Sequence, residues 1–217
     1  MILIINNSNN EINNTTWNLK VLYVLKSLLK NSNALLINTT DEMNNIIRNN
    51  KNIIKGVILT GSELRICEPQ KINKILDNIL PLLELEVPIL GICFGMQVLG
   101  VAYQSKISSF NEVLKDYINI KIDIRCPLFE NLDFSQNVFV EHNDWLSTSP
   151  IFFDTIAING YNNIIYGIKH KTKNIYGLQF HPEFSQNGIT IFKNFLKICC
   201  LDYNENINYS DILEVKY

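Results

Sequence analysis

The run Pro88-Ile89-Leu90-Gly91-Ile92-Cys93-Phe94-Gly95-Met96-Gln97 constrains this chain more than any other ten residues. An apolar, strand-like stretch meets Gly-Ile-Cys-Phe-Gly, and a second apolar stretch follows at helical spacing. Strand, sharp turn and helix in succession, with one cysteine at the apex, form a nucleophile elbow in which Cys replaces Ser. Gly91 and Gly95 remove the Cβ atoms that would clash where strand and helix pass close together. The cysteine is then held in a strained turn at a helix N-terminus. There the dipole and the unpaired amides favour the reactive thiolate.

A thiol nucleophile needs a base, and the chain has three histidines, His142, His170 and His181. His181 lies in Gln179-Phe180-His181-Pro182-Glu183, just after a strand-like run. In extended chain, residues i and i+2 share a face. Glu183 can therefore orient the imidazole and stabilise the imidazolium formed when the thiol loses its proton. Taken singly, a Cys in an apolar run reads as a small buried hydrophobe, and His-Pro-Glu after a strand reads as a turn. Together on one chain they point to Cys93, His181 and Glu183 as a catalytic triad. His142 is set aside as the base, because no acid is read as its partner and a turn is expected after it. His170, among Lys169, Lys171 and Lys173, reads as a solvated charged edge or a partner-docking patch.

Around these motifs, helical and strand-like patterns alternate. Strands are expected at Ile2–Ile5, Ala34–Asn38, Val57–Thr60 and Pro88–Ile92. Helices are expected from a Thr15/Thr16 cap to Lys30, from an Asp41 cap to Arg48, over Ile72–Leu85 with a break at Pro81, and from the elbow to Ala102 or Tyr103. Short strands follow at Tyr117–Ile124, Val138–Glu141, Thr155–Asn159 and Ile164–His170, and a last helix at Ile189–Cys200. The pattern predicts an α/β fold: a mostly parallel twisted sheet with helices on both faces and a small β-rich insertion. Residues 1–200 read as one domain. Residues 201–217 read as a polar tail with little core signal, a docking segment or simply loose.

Composition narrows the function classes. The chain has 217 residues, 47% of them hydrophobic, enough for one sizeable core. A net charge of −2 offers no basic field for nucleic acid. Five cysteines, with Cys199 and Cys200 adjacent, suit a reducing cytoplasm better than a disulfide scaffold. No signal peptide and no membrane span are expected. The Asn clusters within Asn6–Asn14 and Asn44–Asn52 read as compositional bias, because apolar periodicity persists through the chain. Neither metal-ligand spacing nor a Gly-rich nucleotide fingerprint is present, so no metal and no cofactor are expected.

Gly91-Ile92-Cys93-Phe94-Gly95-Met96-Gln97 and Gln179-Phe180-His181-Pro182-Glu183 resemble the two signature motifs of the class I (triad) glutamine amidotransferases. The likeness runs from Ile2 to near Cys200. It is greatest to the glutaminase subunit or domain of GMP synthetase, through Glu141-His142-Asn143-Asp144 and Ile168–Gly177. The resemblance implies a flavodoxin-like fold and hydrolysis of L-glutamine to glutamate and ammonia. It also implies that the ammonia is delivered to a separate ATP-dependent synthetase subunit for amination of XMP. It places Gln97, Asn143 and Asp144 against the amino-acid end of the substrate, with His142 to Asp144 in a loop, and the Phe94 amide in the oxyanion hole. The second oxyanion donor falls on Ser62, and here the chain departs from the family. Thr60-Gly61-Ser62-Glu63 stands where Ser-Gly-Gly-Pro is usual. Either Ser62 is forced to a positive φ that costs on the order of one kcal/mol, leaving the resting loop incompetent, or it takes an allowed φ and donates as it stands. Two other readings compete with the first. One is another class I glutamine amidotransferase or a γ-glutamyl hydrolase. The other is a catalytically weak regulatory or binding module on the same fold.

Overall fold

The computed structural model describes residues 1–8, 16–39, 43–67 and 69–213. The caps expected at Thr15 and Asp41 lie outside those residues. Strands β1 (Ile2–Asn6) and β3 (Gly56–Leu59) are fully buried, as continuous apolar runs covered on both faces must be. They lie beside β2 (Ala34–Asn38) and β4 (Ile89–Ile92), and β4 in turn pairs with β9 (Ile175–Leu178), all parallel.

The side-chain alternation of β1 assigns helices to faces. Ile2 and Ile4 pack with Val21, Val24, Leu25 and Leu28 of α1 (Thr16–Leu28) and with Phe192, Phe195 and Leu196 of α5 (Gly188–Ile198). Leu3 and Ile5 face the other way. They pack with Met43 and Ile47 of α2 (Met43–Asn50), Ile75, Ile79 and Leu82 of α3 (Pro69–Leu83), and Met96 and Leu99 of α4 (Phe94–Ala102). Burying each such Leu, Ile or Phe side chain is worth about 1.5–3 kcal/mol. In α3, Pro69 opens the helix, where its missing N–H costs nothing, and Pro81 falls in the last turn, which it helps to end.

The β-rich half is larger than the short strands expected from sequence, and it is not a separate insertion. Strands β5 (Ile107–Ile122), β6 (Ser135–Leu146), β7 (Phe153–Ile158) and β8 (Ile165–His170) continue the same sheet in the order β2-β1-β3-β4-β9-β8-β7-β5-β6. Every pairing from β9 to β6 is antiparallel. The fold is α/β with helices on both faces, and its sheet is parallel in one half only.

The expected short strand at Val138–Glu141 is the middle of β6. Its even-numbered residues Gln136, Val138, Val140, His142, Asp144 and Leu146 are buried in strict alternation. Three of these six are polar, which hid the period. His142 and Asp144 therefore lie on a strand, not in the expected loop before a turn.

The tail is also more than a loose polar end. Asn204 N–H donates to Leu28 C=O at 2.7 Å, and the short helix α6 (Tyr209–Leu213) buries Ile212. Among the described residues, no helix is long and apolar enough to cross a membrane.

Candidate active site

Register brings the carboxyl ends of β1, β3, β4 and β9 to one edge. Ile5 is opposite Leu59, Leu59 opposite Gly91, and Ile92 opposite Leu178. The residues that leave these strands, Asn7, Thr60, Cys93 and Gln179 onward, form a row. Cys93 N–H donates to Leu178 C=O at 2.7 Å, which ties the elbow directly to the strand carrying His181.

Cys93 has φ 51° and ψ −106°, a conformation that costs on the order of 1–3 kcal/mol in a residue with a Cβ. Close packing holds it there. A Cβ on Gly91 would come within 2.6 Å of the Gly95 carbonyl group, and one on Gly95 would collide with Leu59 C=O. The thiol lies 3.6 Å from Glu141 C=O and 3.7 Å from Gln179 Nε2, and it faces the same cavity as His181, on whose charge it acts. His181, only 1% exposed, has Nδ1 2.7 Å from Glu183 Oε1, leaving Nε2 for the thiol. Trp17 stacks on the imidazole with ring centroids 6.2 Å apart. Burial opposes charge on His181, but the Glu183 carboxylate and Cys93 outweigh it and hold the ring well above its ordinary titration range.

The loop after β3 is pinned. Thr60 Oγ1 donates to Ile5 C=O at 3.0 Å, and Asn7 Nδ2 donates to Thr60 C=O at 2.9 Å. A Cβ on Gly61 would be 3.1 Å from His181 Cε1, so the loop lies against the triad. Ser62 does not have a positive φ. Of the two readings of this loop, the strained one fails: the backbone here asks nothing that only glycine can supply. Instead the Ser62 hydroxyl donates to Asn7 C=O at 3.0 Å and accepts from Leu64 N–H at 3.0 Å. Phe94, the first residue of α4, presents its amide at the helix N-terminus.

These groups line an open cavity of about 210 Å³ that also takes in Gln97, Asn143, Asp144, His142 and Arg65. Gln97 Nε2 is engaged by Asp144 C=O at 2.6 Å and Gln179 Oε1 at 3.2 Å. Gln97 thus fixes the β6 backbone as well as lining the cavity. Asp144 has the carboxylate that sequence reading failed to pair with His142 at i+2. The pairing is backbone only: His142 Nδ1 donates to Asp144 C=O at 3.1 Å. The carboxylate itself turns to Arg65 Nη2 and Ser109 Oγ, each at 2.6 Å. Burial resists its ionisation, but Arg65, Ser109 and Cys67 bring its pKa below the usual value. Burial pushes His142 down to about 4, with His181 adding to the effect, so its ring is neutral near pH 7.

Trp17, Arg65, Ser109 and Gln179 were not singled out by sequence. Gln179 had a local signal, its place two residues before His181. Arg65 and Ser109 had none, because their partner Asp144 is 79 and 35 residues away. His170, expected on a solvated edge, is buried against Tyr103 and Phe153. Among the described residues, no group of three His, Cys, Asp or Glu side chains is placed to hold a metal ion.

The chain has relatives among known proteins. The family model described as glutamine amidotransferase class-I matches residues 18–199. The chain is 34% identical over 207 residues to the glutamine-hydrolysing GMP synthase subunit of Methanococcus aeolicus, covering 93% of this chain and 98% of that one. It is 33% identical over 215 residues to the same subunit of Methanococcus maripaludis, covering 94% of this chain and 100% of the relative. A solved structure from Thermoplasma acidophilum, provisionally assigned as the corresponding GMP synthase subunit, superposes with a TM-score of 0.75 at 24% identity, over 92% of this chain and 93% of the other.

Proposed function

Because this chain belongs to the class-I glutamine amidotransferase family, we propose that it hydrolyses L-glutamine and supplies the ammonia to a separate ATP-dependent synthetase subunit that converts XMP to GMP. The observation that carries the reading is the meeting of Cys93 and His181 at the cavity, with the imidazole 2.7 Å from the Glu183 carboxylate behind it. The full-length match to proteins named as glutamine-hydrolysing subunits of GMP synthase supports the choice of acceptor.

The Cys93 thiolate attacks the side-chain amide carbon of glutamine while His181 holds the thiol proton. Charge develops on the former carbonyl oxygen, and the Phe94 and Ser62 amides receive it. Fixed donors of this kind are the largest single term in many acyl transfers. His181, oriented by Glu183, gives its proton to the leaving nitrogen, and ammonia departs from a γ-glutamyl thioester. His181 then takes a proton from water, which attacks the thioester carbonyl. Glutamate leaves and the thiol is restored. Gln97, Asn143 and Asp144 hold the amino-acid end of the substrate, with Arg65 fixed beside it by Asp144.

The test is a steady-state glutaminase assay of the chain alone and with a two-chain GMP synthetase's ATP-dependent subunit, followed by GMP formation from XMP. Glutamate release with GMP formation in the mixture is the expected outcome. Glutamate release with no GMP formed refutes the acceptor, and no glutamate in either case refutes the hydrolysis.

A further inference from the structure

Ile92 lies opposite Leu178 in the parallel pairing of β4 with β9, so Cys93 and Gln179 leave the two strands side by side. Gln179 is buried, and its backbone N–H donates to Tyr166 C=O at 3.0 Å. Its side chain meets that of Gln97, also buried, on α4. A buried amide has to find partners for its N–H groups and its oxygen. Here a chain of hydrogen bonds fixes which end points where. The Asp144 C=O can only accept, so Gln97 offers it Nε2, at 2.6 Å. The same Nε2 is 3.2 Å from the Gln179 amide, which answers with Oε1. Nε2 of Gln179 is thereby turned to Cys93 and donates to Sγ at 3.7 Å. Glu141 C=O lies 3.6 Å from the same sulfur and can take only the S–H of the neutral thiol.

We propose that Gln179 is a positioning residue for Cys93, and that the Gln97–Gln179 amide pair couples the amino-acid end of the substrate site to the sulfur. The inference rests on the reading above of Cys93 as nucleophile and Gln97 as a substrate contact. When the thiol loses its proton, the Glu141 carbonyl faces a negative sulfur and repels it. The Gln179 N–H donates to the sulfur in both states, and a hydrogen bond to a charged group is roughly twice as strong as a neutral one. Gln179 therefore offsets the repulsion and keeps the thiolate where the thiol stood. Gln97 gives the amide its direction. Without Gln97, the Gln179 amide is free to turn its oxygen to the sulfur, and the effect is lost.

The experiment alkylates the full chain with iodoacetamide at pH 7 and follows the Cys93 peptide by mass spectrometry. The variants are Gln179→Met, Gln179→Glu, Gln97→Met, and Gln97→Met combined with Gln179→Met, each with a thermal melt and steady-state glutaminase kinetics. Iodoacetamide has no amino-acid end, so a residue that only binds substrate leaves its rate unchanged. Gln179→Met slows Cys93 alkylation about three- to tenfold, because a larger thiolate fraction is partly offset by lower nucleophilicity. Gln179→Glu, which sets a carboxylate oxygen on the sulfur, slows it further. Gln97→Met slows it too, and the double variant is no slower than Gln179→Met alone, since the effect of Gln97 runs through Gln179. In Gln179→Met, kcat for glutamine falls on the order of tenfold with KM little changed. An unmoved alkylation rate in a folded Gln179 variant overturns the proposal, as does a double variant slowed by the product of the two single effects. Unfolding of both Gln179→Met and Gln179→Glu also overturns it, since Gln179 is then a folding requirement. Alkylation needs no turnover, so a wild-type chain inactive toward glutamine counts against the hydrolysis alone.

Discussion

Replacing Ser62 by Gly tests the oxyanion loop, and the structure reverses the direction that sequence alone suggests. If Ser62 were strained, glycine would release the loop and raise basal activity. The observed loop is unstrained and tied by the Ser62 hydroxyl to Asn7 C=O and Leu64 N–H. Glycine removes both hydrogen bonds, each worth about 0.5–1.5 kcal/mol net, and adds backbone freedom worth about 0.5–1 kcal/mol. The sum, about 1.5–4 kcal/mol, is drawn from the stability of the competent loop. Every 1.4 kcal/mol is about a factor of ten in that equilibrium. The ceiling is complete loss of one donor, about 100- to 1,000-fold in kcat. A fall of roughly ten- to a hundredfold is therefore expected for Ser62→Gly in the isolated chain, with Ser62→Thr nearer wild type because it keeps the hydroxyl. The assay is glutamate release at saturating glutamine, with a thermal melt to show that the fold persists. A Ser62→Gly protein as fast as wild type or faster would refute the reasoning.

Cys93→Ala is expected to abolish glutamine hydrolysis with the melting curve little changed; equal activity in the two proteins would remove Cys93 from the mechanism. A diazo-ketone analogue of glutamine should label Cys93 and spare Cys126 and Cys199, whose thiols burial pushes up, and also the exposed Cys67 and Cys200; peptide mapping with the adduct mainly elsewhere contradicts this. His142 titrates near 4 when folded and near 6.5 when unfolded, so the unfolded chain binds the extra proton between those values. Stability from keeping this ring neutral is complete above pH 6.5 and is lost as pH falls toward 4, by about 3 kcal/mol. Denaturant titrations across that window should show a shallower pH slope for His142→Asn than for wild type.

Local chemistry was legible in the sequence wherever neighbours along the chain make the feature. The elbow is one case, since its glycines, apex cysteine and following helix all lie within ten residues and strand–helix clearance is a local matter. The His181–Glu183 pair is another, because period-two geometry alone puts both side chains on one face. Four of the five parallel strands, β1 to β4, were also readable, as apolar runs alternating with helical periods. Tertiary structure decided what depends on register and on distant partners. The β4–β9 register carries the Cys93 turn to the His181 strand, 88 positions later in the chain. The buried face of β6 is half polar, so its strand period showed only once Arg65, Ser109 and Gln97 were seen to satisfy Asp144. Ser62 looked like a defect against a glycine pattern. Its φ is not positive, and a side chain's hydrogen bond to a backbone carbonyl 55 residues away leaves no trace in local sequence. The C-terminal segment looked inert because its few apolar residues gain meaning only against α1, where Ile212 is buried and its carbonyl accepts from Lys20 Nζ.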